Sequence, residues 1–189
     1  MVKNLINSVV LESELIRLEP LSMEHTSDLQ AACQDGNLWE ISVTSVPEPE
    51  NVTAYIQKAS DTPDRLAFAV IDKSTGKAIG STSYHDIFPK AKRLEIGYTW
   101  YAKRFWRSHV NTTCKKLLLN HAFETLNYLV VGWRTDGKNF RSQVAIERLG
   151  AKKDGLIRGN RIRRDGDIAD TVMYSMTADE WLEIKDAKF

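Results

Sequence analysis

Hydrophobic and polar residues alternate with a period of two in several stretches of this chain, which is the pattern of a half-buried β-strand. Leu15 to Leu21 is the first such stretch, and Leu94 to Tyr101 is an aromatic-rich one near the middle. Further strands are predicted at residues 66–71, 78–84, 128–135, 156–163 and 168–176. We therefore expect a sheet of six to seven strands.

Apolar residues recur at helical spacing between these strands. Val110, Cys114 and Leu118 mark one face of a central helix, and Ser22 and Asn139 are favourable N-caps of two others. Helices are predicted at residues 22–36, 50–60, 110–126, 139–150 and 178–185.

The order of these elements predicts the architecture. Three sequential antiparallel strands, ending with residues 94–101, are followed by a strand–helix–strand unit. The chain shows no linker, repeat or low-complexity segment. We expect a single α/β (α+β) domain, residues 1–189, with a mixed, mostly antiparallel sheet flanked by helices.

The stretch from Leu94 to Leu126 carries the strongest functional signal. A strand ends at Tyr101, a basic link with Arg104 and Arg107 follows, and the central helix then begins. The first backbone N–H groups of a helix lack internal partners, and the helix dipole favours an anion beside them. A phosphate-bearing ligand is the expected guest, with a merely solvated arginine loop as the alternative interpretation.

This stretch resembles the acetyl-coenzyme A site of the GNAT superfamily of N-acetyltransferases, in the branch that includes the ribosomal-protein N-terminal (alanine/serine) acetyltransferases. The resemblance implies a GNAT fold, with a central parallel strand pair splayed at the cofactor site, and acetyl-CoA as the acetyl donor. It is carried by the segments 15–21, 79–82, 94–101, 110–112, 120–123, 139–142 and 145–151.

The phosphate loop departs from the superfamily pattern, which is usually written Q/R-x-x-G-x-G/A. Its three marked positions fall on Trp106, His109 and Asn111, so that neither glycine is present. Asn111 and Thr112 are suited to capping the helix. Binding of acetyl-CoA is expected, at an affinity that these substitutions leave open.

The resemblance also implies roles for individual residues. The backbone of Thr99, Trp100 and Tyr101 is expected to pair with the pantetheine arm. Asn139 is expected near that arm, besides capping its helix, and Ser142 near the sulfur as a proton donor to the thiolate; both are assigned to catalysis and to cofactor binding. The remaining expected cofactor contacts are Arg104, Trp106, Arg107, Ser108, His109, Val110, Asn111 and Thr112.

Removal of the proton from an attacking amine requires a base, and Glu95 is the first choice. Strict alternation would turn Leu94, Ile96 and Tyr98 to one face of the strand, and Glu95 with Thr99 to the other. Desolvation in an apolar strand should raise the pKa of the glutamate. Several GNAT enzymes use a glutamate on this strand, directly or through water.

Other residues are candidates for contact with the acceptor. Tyr84, His85 and Asp86 lie at the end of the preceding strand. His85 or Asp86 is an alternative base or a ligand of the amine, and a plain surface position of each is the interpretation that the sequence favours. Trp39 lies in the irregular segment that forms a pocket wall in the family, with a plain core position as the alternative.

Composition and charge exclude several classes of protein. A 42% apolar and 27% charged chain with a net charge of +1 suits a soluble globular domain without general affinity for nucleic acid or membrane. No apolar run reaches the length of a membrane span, and the start lacks a signal-peptide core, so a cytoplasmic location is expected. Cys33 and Cys114 are expected to be free thiols. Four histidines without ligand spacing give no reason to expect a metal.

We therefore expect an acetyl-CoA-dependent N-acetyltransferase that acetylates a primary amine, on a protein N-terminus or a small molecule, by direct attack in a ternary complex. The alternative is a non-catalytic CoA-binding or protein-interaction module that has lost the glycine loop. A nucleic-acid binder has only the arginines 158, 161, 163 and 164 in its favour, and nearby acidic residues favour a solvated strand face. A homodimer is common in such folds, by analogy.

Overall fold

The computed structural model describes residues 6–188, with side chains through residue 187. Residues 1–5, which belong to the start that is expected to lack a signal-peptide core, and Phe189 lie outside the described residues. The strands are β1 (Leu11–Glu12), β2 (Ile16–Pro20), β3 (Leu66–Asp72), β4 (Lys77–Phe88), β5 (Arg93–Tyr101), β6 (Val130–Asp136), β7 (Lys152–Ile162) and β8 (Ile168–Thr177). The α-helices are α1 (Thr26–Gln34), α2 (Val52–Asp61), α3 (Val110–Asn120), α4 (Phe140–Arg148) and α5 (Ala178–Lys188).

All eight strands belong to one sheet, in the order β1-β2-β3-β4-β5-β6-β8-β7. The pair β5–β6, which α3 connects, is parallel, and the other neighbours are antiparallel. A parallel neighbour requires a crossover of this kind, whereas hairpins suffice elsewhere. The predicted mixed α/β architecture is confirmed, with one strand more than expected because the short β1 pairs with β2.

Two apolar clusters cover the two faces of the sheet. The larger one lies beneath α3 and includes Leu94 and Leu118, and the smaller lies beneath α1 and α2 and includes Ile56 and Trp100. Each helix therefore buries one stripe against one face, as an amphipathic helix in a layered domain must. Among residues 6–188, no helix combines the length and the apolar character that a membrane span requires.

The central helix ends differently from the prediction. Regular α-helix stops at Asn120, and residues His121–Thr125 continue as a turn of π-helix. His121 and Phe123 remain buried in this turn, so the apolar face continues although the hydrogen-bond pattern changes.

Candidate active site

The parallel strands β5 and β6 separate to form an open cleft. They pair only over Arg93–Glu95 and Val130–Gly132. Beyond these residues β5 continues to Tyr101 and β6 to Asp136 without further pairing between them. Strand edges without a partner present N–H and C=O groups that a ligand can bind. This strand cleft suits an extended, amide-containing chain, and the predicted splay is confirmed.

A β-bulge lies at the inner end of the strand cleft. Gly97 pairs with Ser83 and Trp100 with Ser81, so two residues of β5 oppose one of β4. Tyr98 takes up the extra length with a φ of 50°, in the left-handed region that non-glycine residues rarely adopt. The strict alternation expected for this strand is therefore wrong beyond Gly97. The side chain of Tyr98 lies on the Glu95 face, and Thr99 faces α3.

The loop before α3 is organised without glycines. The Trp106 indole donates to the carbonyl of Tyr101 over 2.9 Å, and Ser108 Oγ donates to the Phe105 carbonyl and accepts from the Val110 N–H at 3.3 Å. Arg107 supplies the positive φ of 59° that the turn requires. His109, which stands at a glycine position of the family pattern, is exposed.

Several expected roles in this loop need correction. Asn111 does not cap α3; its side chain is turned inward and accepts from the Tyr101 hydroxyl at 3.3 Å. His109, at the N-cap, makes no side-chain cap hydrogen bond either, so the N-cap side chain leaves the first turn of α3 uncapped. Arg104 pairs with Asp35 at 3.5 Å, which directs that charge toward the end of α1.

The first turn of α4 borders the open end of the strand cleft. Asn139 caps this helix by accepting from the Ser142 N–H at 3.1 Å, so its predicted capping is confirmed, and its place near the pantetheine arm stays a prediction. The Arg141 guanidinium stacks on the Trp106 ring, with Cζ 3.7 Å from the centroid, and so connects α4 with the loop before α3. Sequence analysis missed Arg141, although its position between Asn139 and Ser142 was a signal.

Four polar side chains form a connected group on the face of β5 that is opposite to α3. We call this group the His85 cluster; its members are His85, Asp86, Glu95 and Arg134. His85 Nδ1 lies 2.5 Å from Asp86 Oδ2, and the Arg134 guanidinium binds both Asp86 at 3.0 Å and Glu95 at 2.7 Å. Glu95 is 5% exposed. It is therefore a buried carboxylate that is neutralised by an arginine.

Burial and hydrogen bonding set the charge states in this cluster. Burial lowers the pKa of His85 despite the opposing effect of Asp86, so the imidazole is neutral at pH 7. Burial alone would raise the pKa of Asp86, but His85 and Arg134 outweigh it and the pKa is lowered. An ionised Asp86 accepts a hydrogen bond from the Nδ1–H of His85, which leaves the imidazole lone pair on Nε2.

The free imidazole nitrogen faces the bulge. A Cβ placed on Gly97 would lie 2.2 Å from His85 Nε2, so only a glycine leaves room for the ring here. The same ring meets Tyr98 edge to face, with centroids 5.1 Å apart. Among residues 6–187, Nε2 has no hydrogen-bond partner, in contrast to the Glu95 carboxylate.

A metal ion is a poor fit for this cluster. The ligand atoms of His85, Asp86 and Glu95 lie within 4.8 Å of one another. However, Arg134 already binds both carboxylates, and a cation at the same oxygens would meet its positive charge.

Two residues expected at the acceptor pocket occupy other positions. The prediction for Tyr84 is wrong: it is fully buried beneath α3, and its hydroxyl donates to the Leu118 carbonyl at 2.5 Å. Trp39 is partly buried against the smaller apolar cluster, and its carbonyl accepts from Arg164. Its contact with an acceptor stays a prediction.

Two arginines of the β7–β8 hairpin bind other parts of the fold, whereas a solvated strand face was expected. Arg163 forms a two-point ion pair with the buried Asp136, at 2.8 and 2.9 Å. Arg164 donates to the carbonyls of Trp39 and Val46. These contacts connect the hairpin with β6 and with the irregular segment before α2.

Lys115 was also missed, and it is buried in α3 directly beneath the bulge. Its ammonium donates to Thr99 at 2.7 Å. Thr99 in turn lies 2.8 Å from the hydroxyl of Thr82 on β4. The lysine therefore helps to hold the residue that follows the bulge.

Comparisons with known proteins agree with this geometry. The family model of the acetyltransferase (GNAT) domain matches residues 16–152. This chain belongs to the GNAT acetyltransferase family. It is an acetyl-CoA-dependent acyltransferase, as predicted.

Solved structures support the same assignment. A GCN5-related N-acetyltransferase from Brucella melitensis is 28% identical with a TM-score of 0.87, over 97% of this chain and 85% of the other. A "putative acetyltransferase" from T. thermophilus is 33% identical with a TM-score of 0.84, over 96% and 95% of the two chains. RimL, a ribosomal L7/L12 alpha-N-protein acetyltransferase solved with coenzyme A, is 16% identical over 91% and 99% of the chains with a TM-score of 0.77, which shows the shared fold alone. A comparison with curated proteins found no match.

Proposed function

We propose that this enzyme transfers the acetyl group of acetyl-CoA to a primary amine by direct attack, with the thioester in the strand cleft and the amine approaching from the His85 cluster. The observation that carries the proposal is the position of the bulge between them. Tyr98 and Gly97 are next to the free nitrogen of His85 on one side, and Thr99 to Tyr101 border the strand cleft on the other.

Acetyl-CoA fits the chain's own groups. The unpaired edge of β5 at Thr99 to Tyr101 would accompany the pantetheine arm. The N–H groups of Asn111 and Thr112, in the first turn of α3, would face the pyrophosphate, since the N-cap side chain does not occupy them and Ser108 binds only the preceding N–H, of Val110. Arg107, Ser108 and His109 surround this end of the helix.

His85 is the base that the geometry favours over Glu95. Its imidazole is neutral, its Nδ1 is oriented by Asp86, and its Nε2 is free. The Glu95 carboxylate is already bound by Arg134, so its role in this proposal is to position that arginine and, through it, Asp86. In this arrangement His85 is a general base that Asp86 holds in a fixed orientation.

The reaction then needs no covalent enzyme intermediate. The amine loses a proton to His85 and attacks the thioester carbonyl; the C–N bond forms, the C–S bond breaks, and the thiolate leaves. Ser142 is the proposed proton donor to that thiolate; it recovers a proton from solvent as His85 releases its proton to solvent, and Asn139 holds the helix turn of Ser142 in place. Cys114 takes no part, because it is fully buried and burial raises its pKa to about 12.

The acceptor belongs to the amines of protein N-termini or of small molecules. The neighbour named as a ribosomal L7/L12 alpha-N-protein acetyltransferase shares the fold and motivates a panel that includes N-terminal peptides. A primary amine as acceptor is the common element of both choices.

Comparison of H85Q and E95Q tests this assignment. If His85 is the base, the profile of kcat/KM per unprotonated amine has an acidic limb below pH 6.5, and H85Q abolishes this limb and lowers turnover at every pH. E95Q should lower turnover but keep that limb. An unchanged limb in H85Q, together with its loss in E95Q, would return the role of base to Glu95. Release of coenzyme A, followed with a thiol reagent, provides the rate in both cases.

A further inference from the structure

Arg65, at the start of β3, is a buried arginine without a counter-ion. The residue is 5% exposed. Its Nε donates to Ser83 Oγ at 3.0 Å, and its Nη2 donates to the Tyr55 hydroxyl at 3.2 Å. Both partners are neutral, and no carboxylate among residues 6–187 pairs with Arg65. A buried charge is ordinarily paired, so an unpaired guanidinium here is unusual.

The hydrogen-bonding capacity of this guanidinium is only partly used. An arginine carries five N–H donors in a planar fork, and two of them are occupied. Nη1 makes no hydrogen bond to the described residues, yet it is not among their fully buried unpaired polar atoms. Solvent therefore reaches Arg65 at Nη1. A guanidinium nitrogen with unoccupied N–H groups can donate a charge-assisted hydrogen bond to a carboxylate oxygen.

Arg65 is close to the proposed base. The Tyr98 ring contacts both groups: Arg65 Cζ is 3.8 Å from its centroid, and the His85 ring centroid is 5.1 Å from the same point. Both groups therefore contact the one residue that forms the bulge. A carboxylate at Nη1 and an amine at His85 would both lie near this ring.

We propose that the acceptor is a primary amine that carries a carboxylate, and that Arg65 binds this carboxylate. The inference rests on the proposed function, since it names the class of acceptor for the same site. The carboxylate supplies the missing counter-ion, and the fork fixes the amine relative to His85. A free amino acid and a peptide with an acidic residue next to its N-terminus share this chemistry.

Two matched acceptor pairs test the proposal with the full-length enzyme and saturating acetyl-CoA. The first pair is L-alanine and L-alaninamide, and the second is the amidated tripeptides Ala-Asp-Gly and Ala-Asn-Gly. Release of coenzyme A gives kcat/KM, expressed per unprotonated amine because the amine pKa differs within a pair. In at least one pair, the carboxylate acceptor should exceed its amide partner by about 10- to 100-fold, as expected for a charge-assisted contact.

Variants separate binding from structure. R65Q should remove the preference by lowering the rate of the carboxylate acceptor more than that of its amide partner, and R65K should keep part of the preference. R158Q is the matched control, because it removes one positive charge from an exposed position of the edge strand β7 and should leave both rates unchanged.

The outcomes distinguish the two proposals. Equal rates within both pairs in an active wild-type enzyme would overturn the role of Arg65 and leave amine acetylation standing. Equal losses for carboxylate and amide acceptors in R65Q would also overturn it, because the arginine would then only support Tyr98. If R65Q does not fold, the wild-type ratios and R65K decide. No release of coenzyme A with any acceptor would instead overturn the proposed function itself.

Discussion

Replacement of Lys115 by methionine should stabilise the protein at neutral pH. Lys115 is 5% exposed, and no carboxylate pairs with it in the described part of the chain. Burial lowers its pKa from 10.5 to about 7. At pH 6 the native state must therefore bury an ammonium, whose hydrogen bonds within the described part of the chain go to the hydroxyls of Thr99 and Thr82. Methionine has a similar volume and carries no charge.

The size and pH dependence of the effect follow from the two pKa values. A shift of the pKa from 10.5 to about 7 lowers the free energy of unfolding by roughly 5 kcal/mol at a pH where the lysine is charged in both the folded and the unfolded state. In K115M, loss of the hydrogen bond to Thr99 offsets about 1 kcal/mol of the stability that is gained by removing the buried charge. Between pH 7 and pH 10.5 the unfolded chain binds the extra proton, so the stability of the wild type rises with pH in this window. K115M should thus be more stable by up to about 4 kcal/mol at pH 6, and about equal at pH 10.

Urea denaturation of both proteins at pH 6, 8, 9 and 10 measures this difference. K90M, which alters an exposed lysine, is the control and should show no pH-dependent difference from the wild type. A constant difference between K115M and the wild type from pH 6 to pH 10 would show that Lys115 stays charged in the folded state. It would contradict the assignment of a desolvated amine beneath the bulge.

Three further predictions concern other parts of the molecule. G97A should lower kcat about tenfold or more without changing the affinity for acetyl-CoA, since its Cβ would displace the imidazole of His85; steady-state kinetics would detect this, and an unchanged kcat would contradict the contact. R163M should lower the thermal midpoint because the buried Asp136 loses its two-point partner, and adding D136N should restore part of it; additive losses in the double variant would argue against a pair. S142A should lower turnover about tenfold with an unchanged dissociation constant for acetyl-CoA, whereas full turnover would exclude it as the proton donor.

The periodicity of the sequence was sufficient to predict the main elements of the sheet. Period-two alternation placed β5 and β6, and helical spacing placed α3 between them. These signals are local, since each depends on residues a few positions apart. The parallel pair follows from the strand–helix–strand order alone.

The bulge could not be predicted in the same way. Tyr98 is neither glycine nor asparagine, so nothing local indicates a positive φ. The extra residue arises because Gly97 and Trp100 each pair with β4, which no pattern within β5 records. Alternation therefore assigned Tyr98 to the wrong face.

Long-range ion pairs account for the other differences. Glu95 is buried, as an apolar strand predicts, but its partner Arg134 comes from β6. Arg163 and Arg164 are close to acidic residues in sequence, yet they bind Asp136 and carbonyl groups far along the chain. Such partners become visible only when the strands are assembled.

Titration calorimetry of the purified protein with acetyl-CoA is the most direct test of the strand cleft, with coenzyme A and ATP as controls. We expect one site per chain with a micromolar dissociation constant for acetyl-CoA, which corresponds to a binding free energy of about −8 kcal/mol. ATP should bind much more weakly, because it has no pantetheine arm to pair with the free edge of β5. No heat at millimolar acetyl-CoA would show that the loop with His109 and Asn111 does not hold the pyrophosphate, and would contradict the proposed site.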